Sequence, residues 1–153
     1  MIQKIDPEEI ARYLDTVPEN TKIYLGCDSS KFKKRGKWFA EYCTVVVIHI
    51  GSNSGCKLFY EKIVEEDFDF DKRKPRLRLF NEVRKLADLY NKLEYTLMEF
   101  DVSIHIDINR DKKYASNIII DEAIGYIKAM TGITPEVKPE AFAASIAADK
   151  MLA

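Results

Sequence analysis

The chain has 153 residues, of which 46% are hydrophobic, so it is the size of one domain with one substantial core. Its 24 lysines and arginines nearly balance 25 aspartates and glutamates, which excludes polyanion binding driven by overall charge and leaves any such role to local clusters. The longest apolar run, Val45 to Ile48, is too short for a membrane span, and residues 1–9 lack a signal-peptide pattern, so we expect a cytoplasmic protein that does not enter membranes.

The first predicted element is a helix that begins at Asp6 and Pro7, where a capping side chain precedes a proline in the first turn. The next two residues, Glu8 and Glu9, are acidic, and negative side chains are favourable at the positive end of a helix dipole. We therefore predict a single domain over residues 1–153, with an N-terminal helical extension over residues 1–20.

A short buried strand is predicted over residues 22–29, because apolar side chains alternate there with the two-residue period of a strand. Asp28 lies at its end. Burying an unpaired carboxylate costs several kcal/mol, so Asp28 must reach water or hold something positive. The basic residues that follow are predicted to form a turn around Gly36.

Two further strands are predicted to complete an antiparallel meander. Residues 39–50 are apolar on both faces from Cys43 onward, which indicates an interior strand covered on both sides. After a loop over residues 51–55, the strand over residues 57–64 carries more charge, which is typical of a sheet edge.

The second half of the chain alternates helices and strands. The first helix follows Pro75, and its buried stripe is predicted to be Leu79, Val83, Leu86, Tyr90 and Leu93. The later elements are a strand over residues 101–109, a helix from Ser116 to Met130, an edge strand over residues 133–138 and a last helix from residue 139 or 140 to 152. Right-handed crossovers then predict an α/β fold with a five-stranded mixed sheet of order 3-2-1-4-5, strand 2 antiparallel, and helices on both faces.

Four acidic residues occupy positions where the folding pattern favours apolar ones: Asp28, Glu82, Asp107 and Asp149. Asp28 and Asp107 end adjacent parallel strands, at the edge where active sites of open α/β sheets lie. Because converging carboxylates repel one another without a cation, we expect a hard divalent metal with oxygen ligands. Two Mg²⁺ or Mn²⁺ ions about 4 Å apart would support phosphodiester hydrolysis, with these four acids as catalytic and metal-binding residues.

Each of these residues also has an ordinary structural interpretation. A strand-end aspartate commonly closes a turn, the Glu82 head group could reach solvent at the helix boundary, and Asp149 could face water beside Lys150. His105 shares the predicted face of Asp107, where it could tune the site or serve as a hydrogen-bonded core histidine. Ser29 and Ser30 suit a turn better than a nucleophilic role.

Two basic segments flank the predicted acidic site, and solvated loops are their ordinary interpretation. Beside a metal centre, however, they are also what a nuclease needs to hold phosphates. The candidate nucleic-acid-binding residues are Lys31, Lys33, Lys34, Arg35 and Lys37 in the first segment and Lys72, Arg73 and Lys74 in the second. The three cysteines, Cys27, Cys43 and Cys56, lack metal-binding spacing and are expected to be reduced, buried thiols.

The order of these motifs resembles the ribonuclease H-like superfamily, whose members carry acids on the first strand, a helix, the fourth strand and the last helix. Gly26-Cys27-Asp28 and Ala147-Ala148-Asp149 resemble motifs of its Holliday-junction resolvase branch. More closely, Gly26-Cys27-Asp28-Ser29-Ser30, Asp107-Ile108-Asn109 and Lys138-Pro139 resemble the YkuK-type family of small bacterial ribonuclease H-like proteins, over residues 21–152.

This resemblance implies a ribonuclease H-like fold with Asp28, Glu82, Asp107 and Asp149 as the metal-binding set. Because the superfamily includes nucleases, kinase-like ATPases and inactive proteins, the fold alone does not fix the function. Our first hypothesis is a metal-dependent nuclease acting on DNA or RNA. The alternative is a catalytically inactive nucleic-acid-binding or scaffold protein on the same fold, which the near-zero net charge favours.

A relative of the actin-type ATPases is disfavoured, because the chain is too short for two lobes and lacks glycine-rich phosphate loops. The sequence leaves open which nucleic acid is preferred. It also leaves open the oligomeric state, with a homodimer through the exposed edge strand as one option.

Overall fold

The computed structural model describes residues 4–51, 55–68, 76–109 and 120–138, and the helices and strands in these residues follow the predicted order. In chain order they are α1 (Pro7–Leu14), β1 (Lys22–Lys34), β2 (Lys37–His49), β3 (Cys56–Glu66), α2 (Arg76–Leu97), β4 (Asp101–Asn109), α3 (Ile120–Thr131) and β5 (Glu136–Lys138). The predicted last helix, the helix start at Pro75 and the cap at Ser116 lie outside the described residues.

The strands form one mixed sheet with the order β3-β2-β1-β4-β5. Strand β2 is antiparallel to both β1 and β3, whereas β4 is parallel to β1 and β5. The predicted strand order and the antiparallel second strand are thus confirmed. Between β1 and its parallel neighbour β4 the chain passes through β2, β3 and α2, because parallel neighbours need a long crossover.

The middle of β2 is the most apolar part of the sheet, and every residue from 43 to 48 is buried. This pattern confirms the prediction of an interior strand, since such strands lie under cover on both faces. Side chains that alternate along β2 enter two different clusters. One contains Val46 and Ile48, and the other contains Cys43, Val45 and Val47.

The larger cluster packs the described helices against one face of the sheet. Burying a single isoleucine or leucine side chain contributes about 1.5–3 kcal/mol, so this cluster is the main source of stability. Its members include Ile10 and Leu14 of α1, Val83, Leu86 and Leu93 of α2, Ile120, Ala123 and Ile127 of α3, and Ile23, Leu25 and Ile104 of the sheet.

Helix α2 spans the core with the predicted stripe. Val83, Leu86 and Leu93 are fully buried, and Leu79 and Tyr90 pack against them in part. The stripe carries Glu82 along its edge, and this placement makes the carboxyl group part of the sheet–helix interface. None of the described helices combines the length and apolar composition that a membrane span requires.

The first two strands are longer than predicted, which corrects the interpretation of the basic segment as a turn. Strand β1 continues to Lys34 and β2 begins at Lys37, so that only Arg35 and Gly36 connect them. Both residues have positive φ angles, 52° and 79°, as a two-residue hairpin turn requires. The long apolar stems of lysine lie along a strand as readily as in a loop, so the basic composition hid the strand.

The cysteines are free thiols. Cys27 and Cys43 are buried as predicted, and burial raises the pKa of Cys43 to about 12. Cys56 is exposed, which corrects the expectation that all three are buried. It begins the edge strand next to the loop after β2, at the periphery of the sheet.

Candidate metal centre

Asp28 and Asp107 follow the same point of two adjacent parallel strands. The pairing of β1 with β4 runs as far as Gly26 and His105, and each aspartate comes two residues later. Strand alternation therefore assigns both to the sheet face of His105, whose ring lies 5.2 Å from that of Tyr24. Because β1 continues to Lys34, Asp28 lies in the middle of a longer strand and not at its end as predicted; it follows the point where the pairing of β1 with β4 stops.

Glu82 approaches the middle of β1 from helix α2. Only 5% of the residue is exposed, and its Oε1 atom accepts a 2.7 Å hydrogen bond from the Ser29 hydroxyl. The backbone N–H of Ser29 also donates to Oδ1 of Asp28, at 2.9 Å. One serine thus connects the carboxyl groups of two predicted site residues.

The electrostatics of Glu82 link it to both aspartates. Its pKa lies well above the ordinary value for a glutamate, first because the group is buried, and then because of the charges of Asp28 and Asp107. The hydrogen bond from Ser29 and the charge of Arg78 act in the opposite direction. Three of the four predicted acids therefore share one electrostatic environment, and their role as metal ligands stays a prediction.

Cys27 lies below these acids in the core. The pKa of its thiol is raised well above the ordinary value by burial, by Glu82 and by Asp28. It is fully enclosed in the large hydrophobic cluster, on the helix-facing side of β1.

Asp149, the fourth predicted acid, lies outside the described residues. Among the residues that are described, no group of three or more His, Cys, Asp or Glu side chains is placed so that it could hold a metal ion. The donor chemistry nevertheless suits Mg²⁺ or Mn²⁺, because Asp28, Glu82 and Asp107 offer only carboxylate oxygens. A divalent cation would also offset the burial and repulsion that raise the pKa of Glu82.

Ser29 is the participant that sequence reasoning missed, because serine at a strand end was taken as a turn residue. The usable signal was strand alternation, which places Ser29 on the same face as Cys27 and Leu25, toward α2. A small hydroxyl on the helix-facing side of a strand suits a buried carboxyl partner.

His105 is a core histidine. It is fully buried, and its Nε2 atom lies 3.6 Å from Oε2 of Glu136 on the neighbouring strand β5. Burial lowers the pKa of its imidazole, and the charge of Glu136 opposes this effect. These contacts fit the structural interpretation of His105, which supports the strand that carries Asp107.

The first basic segment lies on the β1–β2 hairpin. Lys33, Lys34, Arg35 and Lys37 are exposed. Lys31 instead forms an ion pair with the buried carboxylate of Asp67, with its Nζ atom 3.4 Å from Oδ2. The residues of the second basic segment, Lys72, Arg73 and Lys74, lie outside the described part of the chain. Nucleic-acid contact by either segment stays a prediction.

Comparison with known proteins adds one finding to this geometry. A family model described as ribonuclease H-like matches residues 7–152. No curated protein and no solved structure matches the chain. The strand order and the extent of this match agree, and the chain therefore belongs to the ribonuclease H-like family that the YkuK-type motifs of its sequence predict.

Proposed function

We propose that this protein is a divalent-metal-dependent nuclease that hydrolyses phosphodiester bonds of DNA or RNA, with two Mg²⁺ or Mn²⁺ ions held by Asp28, Glu82, Asp107 and Asp149. One observation carries this proposal. The Glu82 carboxyl group is buried, and its pKa is raised by burial and by Asp28 and Asp107 together. A fold tolerates such crowding of negative charge where a cation completes the site.

The chain's own residues have definite roles in this proposal. Ser29 orients the Glu82 carboxyl through its hydroxyl and the Asp28 carboxyl through its backbone N–H. Asp28 and Asp107 present oxygen atoms just beyond the point where β1 and β4 stop pairing, and the exposed cations of the β1–β2 hairpin hold phosphates of the substrate. When bound, the metal ions would stabilise the charge that develops during phosphodiester hydrolysis.

Metal titration combined with a cleavage screen tests this proposal. We expect the wild type to bind Mn²⁺ in a calorimetric titration and to cleave labelled single-stranded, duplex or hybrid oligonucleotides. Asp28→Asn should lose both properties. Asp88→Asn is the matched control, because Asp88 is an exposed aspartate on α2 outside the site, and it should behave like the wild type. Metal binding that survives Asp28→Asn unchanged would contradict the proposal.

A catalytically inactive nucleic-acid-binding or scaffold protein is the second candidate. The hydrogen bond from Ser29 to Glu82 favours it, because a carboxyl group with a partner inside the fold is partly stabilised without a cation. The same titration separates the two candidates. Oligonucleotide binding without Mn²⁺ binding and without cleavage would support this second function.

A further inference from the structure

The β1–β2 hairpin extends beyond the rest of the sheet. The pairing of β1 with β4 stops at Gly26, and the pairing of β2 with β3 begins at Phe39. Beyond these points β1 and β2 continue to pair with each other as far as Lys34 and Lys37. We call residues 31–39 the hairpin arm. Its base still pairs with β3 through Phe39, and its tip, residues 33–38, is a two-stranded ribbon that projects beyond β3 and β4 from the edge of the sheet where β1 carries Asp28.

The base of the hairpin arm is fixed by contacts with the segment after β3. The backbone N–H of Asp67 donates to the carbonyl oxygen of Trp38 at 2.9 Å, and the Asp67 carboxylate forms the ion pair with Lys31. The Lys31 ammonium group also lies 5.0 Å from the centre of the Trp38 ring. The arm therefore leaves the sheet in a defined direction.

Both faces of the arm combine a cation with an aromatic ring. Strand alternation places Lys33 and Trp38 on one face, where the ammonium group lies 5.8 Å from the ring centre. On the other face Phe32 and Phe39 stack at 5.7 Å. The paired residues Lys34 and Lys37 extend this second face toward the tip. The rings thus brace the ribbon, and the charged groups form its outer surface.

Charge on the arm is of one sign. Residues 31–40 contain five lysines and arginines and no aspartate or glutamate, although the whole chain has a net charge of −1. The four cations beyond Lys31 are exposed. A concentrated positive surface on a chain of nearly zero net charge makes the arm complementary to a polyanion.

We propose that the hairpin arm enters the major groove of B-form duplex DNA, an inference that rests on the proposed nucleic-acid substrate. The major groove is about 12 Å wide and admits a two-stranded β-ribbon. Cations on both faces of a ribbon reach the phosphates of both flanking strands. A single strand would contact one face only. It would stack on aromatic rings, and although Trp38 is 37% exposed, the ammonium groups of Lys31 and Lys33 lie over its ring. The major groove of duplex RNA is too narrow and deep for such a ribbon.

The arm and the carboxylates act at separate places. Arg35 is seven positions after Asp28, in the turn that follows β1, and at about 3.3 Å per residue this distance is at most about 23 Å. At 3.4 Å per base pair, a duplex that contacts both would extend about seven base pairs from the scissile bond. Weaker duplex binding in an arm variant therefore cannot be assigned to disturbance of the carboxylates.

The test is fluorescence anisotropy in EDTA, where cleavage and metal binding do not contribute. The probes are a labelled DNA duplex of about two helical turns, or roughly 20 base pairs, the RNA duplex of the same sequence, and the single DNA strand. The arm variant combines Lys34→Ala, Arg35→Ala and Lys37→Ala. The control variant combines Arg12→Ala, Lys22→Ala and Lys128→Ala, which removes the same exposed charges elsewhere on the chain. A double variant with Lys34→Arg and Lys37→Arg retains the charges of the arm.

We expect the wild type to prefer the DNA duplex over both other probes. The arm variant should bind the DNA duplex at least about tenfold more weakly, and the slope of log K against log salt should fall by about 2.7 for three lost phosphate contacts. The control variant and the arginine variant should stay near the wild type. Thermal melting of each variant verifies that it is folded.

Equal loss in the arm and control variants would overturn the inference, as would wild-type binding of the RNA duplex or the single strand as tightly as the DNA duplex. A protein that binds none of the three probes would also overturn it. If DNA binding depends on the arm but the protein never cleaves, the proposed role of the arm would be supported and only the proposed nuclease activity would be contradicted.

Discussion

A carboxyl group buried beside two others, as Glu82 is, makes folding stability depend on pH. Its pKa in the folded protein lies well above the unfolded value of about 4.3, so the folded state holds the proton more tightly. In chelator, this contribution to the free energy of unfolding is present below about pH 4.3 and is lost as the pH rises through the raised pKa.

Glu82→Gln should therefore melt at a higher temperature than the wild type at neutral pH in EDTA, because the variant carries no charge to bury. A gain of about 1 kcal/mol corresponds to about 2–4 °C for a chain of this size. The difference should vanish near pH 4, where the wild-type carboxyl group is protonated. Glu94→Gln, at an exposed position of the same helix, is the control. Equal melting temperatures of Glu82→Gln and the wild type at neutral pH would show that an ionised Glu82 does not destabilise the folded state.

Ser29 should act on metal affinity through Glu82. Removing its hydroxyl in Ser29→Ala takes away a hydrogen bond that favours the ionised carboxyl group. Loss of a partner that orients a metal ligand typically weakens metal binding by about 10–100-fold, so we expect at least about a tenfold weaker Mn²⁺ affinity by calorimetry. Ser29→Thr keeps a hydroxyl group, so this variant should retain most of the wild-type Mn²⁺ affinity. Identical affinities for the alanine variant and the wild type would leave Ser29 with a structural role alone.

At the scale of elements, the hairpin turn and helix α3 offer a matched pair of glycine substitutions. A Cβ atom added at Gly36 or at Gly125 would meet no atom within 4 Å. Gly36 has a φ of 79°, where a side chain costs about 1–2 kcal/mol, whereas Gly125 lies inside a helix, where alanine is favoured by about 1 kcal/mol.

Gly36→Ala should therefore lower the melting temperature and Gly125→Ala should raise it, each by a few degrees. Because space is open at both positions, the opposite changes in melting temperature would come from the backbone conformation alone. Differential scanning calorimetry measures both variants. A destabilised Gly125→Ala together with an unaffected Gly36→Ala would contradict the assigned turn and helix.

The same elements show what the sequence can and cannot predict. The continuous apolar run of β2 and the helical period of the α2 stripe both indicate burial, so these elements and the strand order could be predicted. The end of β1 could not, because Lys33, Lys34 and Lys37 alternate between faces without any apolar period. Glu82 was found because an acid is unusual beside an apolar stripe. Strand alternation places Ser29 on the helix-facing side, but its choice of Glu82 as partner, and the ion pair of Lys31 with Asp67, depend on tertiary contacts that no local pattern encodes.

For the whole molecule, the structure joins the N-terminal helix to the main core. Ile10 is fully buried in the same cluster as Ile23 of β1, and the ring of Tyr13 packs edge-on against Phe59 of β3 at 5.9 Å. The helical extension predicted over residues 1–20 therefore shares its core with the sheet. Elements that share one core are expected to unfold together.

Ile10→Ala should lower the free energy of unfolding by about 2–4 kcal/mol, because it leaves a cavity in the shared core. Urea unfolding followed by circular dichroism, which reports the helices, should coincide with unfolding followed by fluorescence of Trp38 on the hairpin arm. Arg12→Ala, at an exposed position of α1, should cause little change. Two separate transitions would indicate that α1 folds independently of the sheet.

The exposed thiol at the start of β3 matters for any measurement of self-association. Cys27 and Cys43 are enclosed in the core, whereas Cys56 is open to solvent on the outer strand. In air-oxidised samples two copies can become linked through this residue. A dimer that disappears in dithiothreitol is then a storage product, and only one that survives reductant reports non-covalent assembly.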